Sequence, residues 1–184
     1  MNSLKKKLDE LPKSWEGHWN FLQKDIVEYI KQFNIKTMLE IGFNTGYSAT
    51  LFLELLDLDK FYSIDIGTHE HVRPLYTKFK KMYKDKFNCI IDDSLNIRKT
   101  FLNDIQYDLI FIDGCHSFEL ALNDFLFCIE PPKTKYILLD DTGGRSSGVT
   151  KLLKYINEKG YKLTLIKEWT CADLKSQGCI LYKL

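Results

Sequence analysis

The chain has 184 residues, 45% of them hydrophobic, with 26 Lys and Arg against 25 Asp and Glu and a net charge of +1. That length buries one core without a composition break between two, and so even a balance supplies no field to hold the chain on nucleic acid or an anionic membrane. Five cysteines without a C-x-x-C spacing indicate reduced thiols of a cytoplasmic protein, and no stretch resembles a signal peptide or approaches the roughly 20 apolar residues of a spanning helix.

In chain order, residues 15–34 carry Trp15, Trp19, Leu22, Ile26, Tyr29, Ile30 and Phe33 at helical spacing, which predicts an amphipathic helix packed on the main body. Residues 1–34 thus form an N-terminal helical extension, with Trp15, His18 and Trp19 either in packing or in a lid. "TMLEIG" is a first strand, "GFNTG" a glycine turn and "YSATLFLELL" a helix. "FYSIDIG" at 61–67 is a second strand, 68–84 has helical character, and a third strand centres on 87–91. "YDLIFIDG" is the fourth. Residues 117–129 put Phe118, Ala121, Leu122, Phe125, Leu126 and Ile129 on one side of a helix that Pro131 and Pro132 stop. "KYILLDD" is a fifth strand, "GVTKLLKYINEKG" a helix closed by Gly160, and "YKLTLIKEW" and "GCILYKL" two late strands.

Strands alternating with helices predict a parallel sheet covered on both faces, whose ligands sit beyond the carboxyl ends of the strands. Glu40, Asp65, Asp92 with Asp93, Asp113, and Asp140 with Asp141 end those strands, so each delivers a carboxylate to one edge. "EIGFNTG" sets Gly42 and Gly46 around a tight turn where a ligand can approach backbone N–H groups. The pattern G-x-G-x-x-G is absent because Asn44 stands where its second glycine belongs, which disfavours a pyrophosphate. Glu40 adds a negative charge that suits an amine or a sulfonium. The plain alternatives are a ligand-free turn and, for the strand-end acids, helix caps or turn residues.

"MLEIGFNTGYSATLFLELL" resembles the first motif of class I S-adenosylmethionine-dependent methyltransferases, and its "GYSA" is similar to the catechol and caffeoyl-CoA O-methyltransferase group. The resemblance implies an α/β, Rossmann-like, seven-stranded and mostly parallel sheet over residues 35–184, with helices on both faces and a C-terminal β-hairpin. It implies that Glu40, Gly42, Asn44, Gly46, Tyr47 and Ser48 line the cofactor, and that Asp65 accepts both ribose hydroxyls. Asp93 and Ser94 of "IIDDSL" fall beside adenine, where the family often has G-D-S or G-D-A; Asp92 replaces that glycine, and Ser94 is equally suited to cap the next helix. "FIDGCHSFE" is similar to F-I-D-G-x-H-x-[YF]-E of a branch that includes metal-dependent antibiotic-sugar O-methyltransferases. By that likeness Asp113 adjoins cofactor and metal, Asp140 and Asp141 complete a magnesium site, and His116 holds the position of the catalytic base.

The chemistry is coherent. A sugar or phenol hydroxyl is a poor nucleophile until its proton leaves; carboxylates suit a hard cation that lowers its pKa, and an imidazole of pKa about 6.5 accepts a proton near neutrality. The expected protein is a cytoplasmic O-methyltransferase using S-adenosylmethionine and a divalent cation, Mg²⁺, on a small-molecule acceptor. Arg145 and Trp169 are the expected acceptor contacts. Membrane and nucleic acid are not expected partners, and a homodimer is left open. The rival readings are an NAD(P)-dependent oxidoreductase, opposed by the missing glycine pattern, and a catalytically silent nucleoside-binding accessory domain, opposed by the intact acids and histidine. A protein or RNA acceptor is a third, opposed by the absence of a recognition domain.

Overall fold

In the computed structural model, residues 3–12, 21–144, 146–170 and 178–184 are described. Among them seven strands form one sheet in the order β3-β2-β1-β4-β5-β7-β6. The strands are β1 (Thr37–Ile41), β2 (Lys60–Asp65), β3 (Phe87–Ile91), β4 (Tyr107–Ile112), β5 (Thr134–Leu139), β6 (Thr164–Thr170) and β7 (Gly178–Lys183). β3 through β5 run parallel, while β7 lies antiparallel between β5 and β6. The mostly parallel sheet with a C-terminal hairpin is therefore present as the sequence predicts.

The reason central strands have unbroken apolar runs lies in their two covered faces. Along β4, Leu109 and Phe111 enter one core layer and Ile110 and Ile112 the other; along β1, Met38 enters the first and Leu39 and Ile41 the second. A strand's side chains alternate faces, so burial on both demands an apolar residue at nearly every position. The first layer is closed by α1 (Ser3–Asp9), α2 (Phe21–Ile30), α3 (Tyr47–Leu55) and α4 (Val72–Tyr83), which contribute residues including Ile26, Val27, Phe52 and Phe79. The second is closed by α5 (Phe118–Ile129) and α6 (Ser147–Lys159), through Phe125, Leu152 and Ile156.

The termini of these helices follow local chemistry. Ser117 caps α5 by accepting the Leu120 N–H, Ser146 caps α6 by accepting that of Val149, and Gly160 closes α6 at φ +63°. α4 begins at Val72, later than the helical character of 68–84 suggests, and a short 3₁₀ turn extends α2 through Phe33. α1 and two 3₁₀ segments, Ser94–Lys99 and Phe101–Asp104, are additions to the sequence-predicted elements. Trp15, His18, Trp19, Arg145 and Cys171 lie outside the described residues. Among the described residues no helix is long and apolar enough to cross a membrane.

Candidate active site

The sheet order reverses between β1 and β4, the point at which open α/β sheets present a crevice. Backbone bonds from Gly42 to Ile64, Asp113 to Ile41 and Asp140 to Ile112 carry the ladder one residue past the strands, aligning three strand ends on one rim. Gly42, at φ +96°, crosses so close to β4 that a Cβ there would stand 2.0 Å from the Asp113 carbonyl oxygen. No side chain fits. The turn continues through Asn44 at φ +43° and Gly46 at φ +70° into α3, while the Phe43 ring is buried against Tyr76 and Phe79 at 4.5 and 5.0 Å.

Asp65 holds this turn from the neighbouring strand. Its Oδ2 accepts the N–H groups of Phe43 and Asn44 at 2.9 and 3.0 Å, and its Oδ1 accepts that of Gly67 at 2.7 Å. Glu40 lies under the turn, fully buried, with Ser48 donating to Oε1 and no partner at Oε2. Burial drives its pKa well above the usual carboxylate range, with the neighbouring charges of Asp113 and Asp65 adding to the shift and Ser48 opposing it. The sequence suggests a negative charge beside the turn; the fold buries this carboxyl beneath it, which works against the charged form. Tyr47, half-buried, opens α3.

At the next rim, Asp93 rather than Ser94 caps the following segment, its carboxylate accepting the Leu95 N–H at 2.9 Å. That corrects the Ser94 alternative, because the 3₁₀ segment begins one residue earlier than a helix capped by Ser94 would. Beyond β2 and β3 stand Ile66 and Leu95, large apolar side chains 55% and 52% exposed beside Asp65 and Asp93. Sequence reasoning passed over both. An apolar residue directly after a strand-end acid was the available signal for Ile66, whereas Leu95 follows Asp93 by two positions, inside the 3₁₀ segment, and carries no such mark.

The other half of the site is acidic. His116 lies between two carboxylates, Nδ1 3.0 Å from Asp141 and Nε2 3.8 Å from Asp113, and is 46% exposed. The carboxylates of Asp113 and then Asp141 raise its pKa to about 10, against a burial effect that lowers it. The two flanking carboxylates thus favour the protonated imidazole over the neutral form that a base requires. Burial raises Asp113, with His116 opposing; burial, followed by the charges of Asp113 and Asp141, raises Asp140 more strongly. The buried thiol of Cys179, on β7, donates to Asp140 Oδ1 at 3.1 Å. Cys179 also escaped the sequence reading, since the antiparallel insertion that brings it beside β5 leaves no local mark.

As these side chains stand, Asp141 turns to His116 and Asp140 to Cys179, and no three His, Cys, Asp or Glu among the described residues form a ready-made cation cage. The donor set still suits one: adjacent carboxylates on β4 and β5, pushed toward protonation by burial and each other, have one imidazolium for compensation. Trp169 packs edge-on against Tyr29 at 5.4 Å, on the α2 side of the sheet.

Comparison with known proteins supplies context for this geometry. A family model described as a methyltransferase domain matches residues 39–142, from β1 through the acids that follow β5. No curated protein sequence gives a significant match. Among solved structures, an O-methyltransferase from Bacillus cereus in complex with SAH is 14% identical at a TM-score of 0.75, covering 100% of this chain and 91% of that one. An SAH-bound methyltransferase from Podospora anserina is 15% identical at a TM-score of 0.76, covering 98% and 85%. The N-methyltransferase NodS from Bradyrhizobium japonicum is 11% identical at 0.63, covering 88% and 94%. At such identities the likeness is one of fold, shared by enzymes named for methylating different atoms.

Proposed function

From the premise that the chain belongs to the methyltransferase-domain family, we propose that it is an S-adenosylmethionine-dependent O-methyltransferase acting on a hydroxyl of a small molecule, a sugar or other polyol or a phenol, with a divalent cation. The observation that carries this reading is the imidazole between Asp113 and Asp141 at the strand ends adjoining the glycine turn. S-adenosylmethionine, when bound, supplies a methyl group on an electron-poor sulfonium. On this reading the turn of Gly42–Gly46 receives its amino-acid end, Asp65 its ribose, and Ile66 and Leu95 the faces of its adenine, with Asp93 and Ser94 at the ring's edge.

A divalent cation such as Mg²⁺, held by Asp113, Asp140 and Asp141, would lower the pKa of the acceptor hydroxyl. His116 takes the departing proton at Nε2 while Asp141 fixes its ring through Nδ1. Its carboxylate neighbours favour a protonated His116; a cation held by the same carboxylates would offset their charge and favour the neutral imidazole that can accept a proton. The acceptor oxygen then forms the O–CH₃ bond as the S–CH₃ bond breaks, its proton resting on His116. Its exposure lets that proton pass to solvent.

The test combines calorimetric titration of the protein with S-adenosylhomocysteine (SAH) and labelled methyl transfer to phenols, catechols, sugars and amines, with Mg²⁺ or EDTA. The expected result is SAH binding and labelling of hydroxyl compounds that EDTA abolishes and Mg²⁺ restores. Labelling of amines alone would overturn oxygen as the acceptor atom, full activity in EDTA would remove the cation, and failure to bind SAH would reject the donor.

A further inference from the structure

We infer that His71 is a positioning residue for the donor site, acting through Asn44 on the turn after β1; the inference rests on the methyl-donor reading above. Asn44 is a non-glycine residue at φ +43°, a conformation asparagine tolerates better than most side chains. Its backbone N–H is held by Asp65 at 3.0 Å, and its side-chain Oδ1 lies 3.0 Å from Nε2 of His71. Because Oδ1 can only accept, Nε2–H donates.

His71 stands at the start of α4 but makes no side-chain cap bond to that helix, so its imidazole serves the turn and not the helix it precedes. The ring of His69 lies parallel to it, tilted 9° at 5.3 Å, and restricts its plane. Behind both, Val72, Leu75, Tyr76 and Phe79 root α4 in the core. The turn is thereby braced from a strand end and a helix start, its backbone by Asp65 at the end of β2 and its side chain by His71 at the start of α4. With Oδ1 committed to His71, the remaining polar end of the Asn44 amide is the Nδ2 group, a donor suited to an oxygen of a bound nucleoside. Loss of His71 frees that amide to rotate, and the donor site must then order it on binding.

The measurement is calorimetric titration of the full chain with SAH, using wild type, His71→Ala, His71→Gln, Asn44→Ala and the double variant. His71→Ala should weaken SAH about 5- to 10-fold, the size of one neutral hydrogen bond. His71→Gln, which keeps an N–H donor, should recover affinity to within about threefold of wild type. In the Asn44→Ala background, His71→Ala should add nothing, since two residues acting through one contact are not additive. An equal loss from His71→Ala with and without Asn44, or no loss at all, would overturn the inference while leaving the donor reading intact. A wild-type protein that does not bind SAH would overturn both.

Discussion

Both carboxylate oxygens of Asp65 accept backbone N–H groups, two from the turn after β1 and one from Gly67. A residue that the family resemblance presents as a ribose acceptor is thus the tie that shapes the turn after β1. Asp65→Ala should lower SAH affinity at least about tenfold and reduce the melting temperature, because charge-assisted bonds of roughly 1.5–3 kcal/mol each are lost on either account. Titration and thermal melting of the same sample separate the two effects: an unchanged melting temperature with lost affinity would confine Asp65 to the ligand. The acids and the histidine were legible from the sequence because strands ending in carboxylates mark a crevice. The shifts in their pKa values were not, since burial raises that of Glu40 and carboxylates following two different strands raise that of His116, and neither is a local property.

Among the elements, α6 acts on the site through its first turn. A Cβ at Gly148 would stand 2.0 Å from the His116 carbonyl oxygen, and Ser146 donates to that same oxygen at 3.0 Å. The helix start and the segment carrying the candidate base are in backbone contact. Gly148→Ala should therefore displace residues 116–118, lowering kcat by about 10-fold or more while SAH affinity changes less than threefold, as expected for a shift of order 1 Å in a catalytic group. Kinetics beside SAH titration check this, and undiminished kcat would mean that His116 is not held from α6. Strand and helix order was readable because β1, β4 and β5 are apolar on both faces and α5 and α6 are amphipathic. α1 and the 3₁₀ segments were not, being short pieces whose apolar residues, such as Leu8, Ile97 and Leu102, find partners only across the chain. Nor does sequence order reveal that β7 enters between β5 and β6.

At the scale of the molecule, the two core layers differ in what polar groups they enclose. The layer under α5 holds Asp124, fully buried, with Oδ2 unpartnered beneath Gly114 and its pKa raised by burial to about 6. An unfolded aspartate titrates near 3.9, so between these values the native chain binds more protons, and stability falls as pH climbs from about 4 to about 6, by about 3 kcal/mol from this group. Asp124→Asn does not titrate, so its melting temperature should decline less than that of wild type over pH 4–7; parallel curves would mean Asp124 is not the group responsible. The insertion of β7 has its own consequence for biosynthesis. β5 leaves the ribosome well before β7 does, and at about 5–20 residues per second its outer edge stays bare for on the order of seconds. During that interval an apolar strand offers unpaired N–H and C=O groups to any neighbouring chain, and Asp140 lacks the thiol that will hold it. The acidic half of the site therefore takes shape only after the last strand has been made, so nascent chains have a glycine turn before they have a complete site.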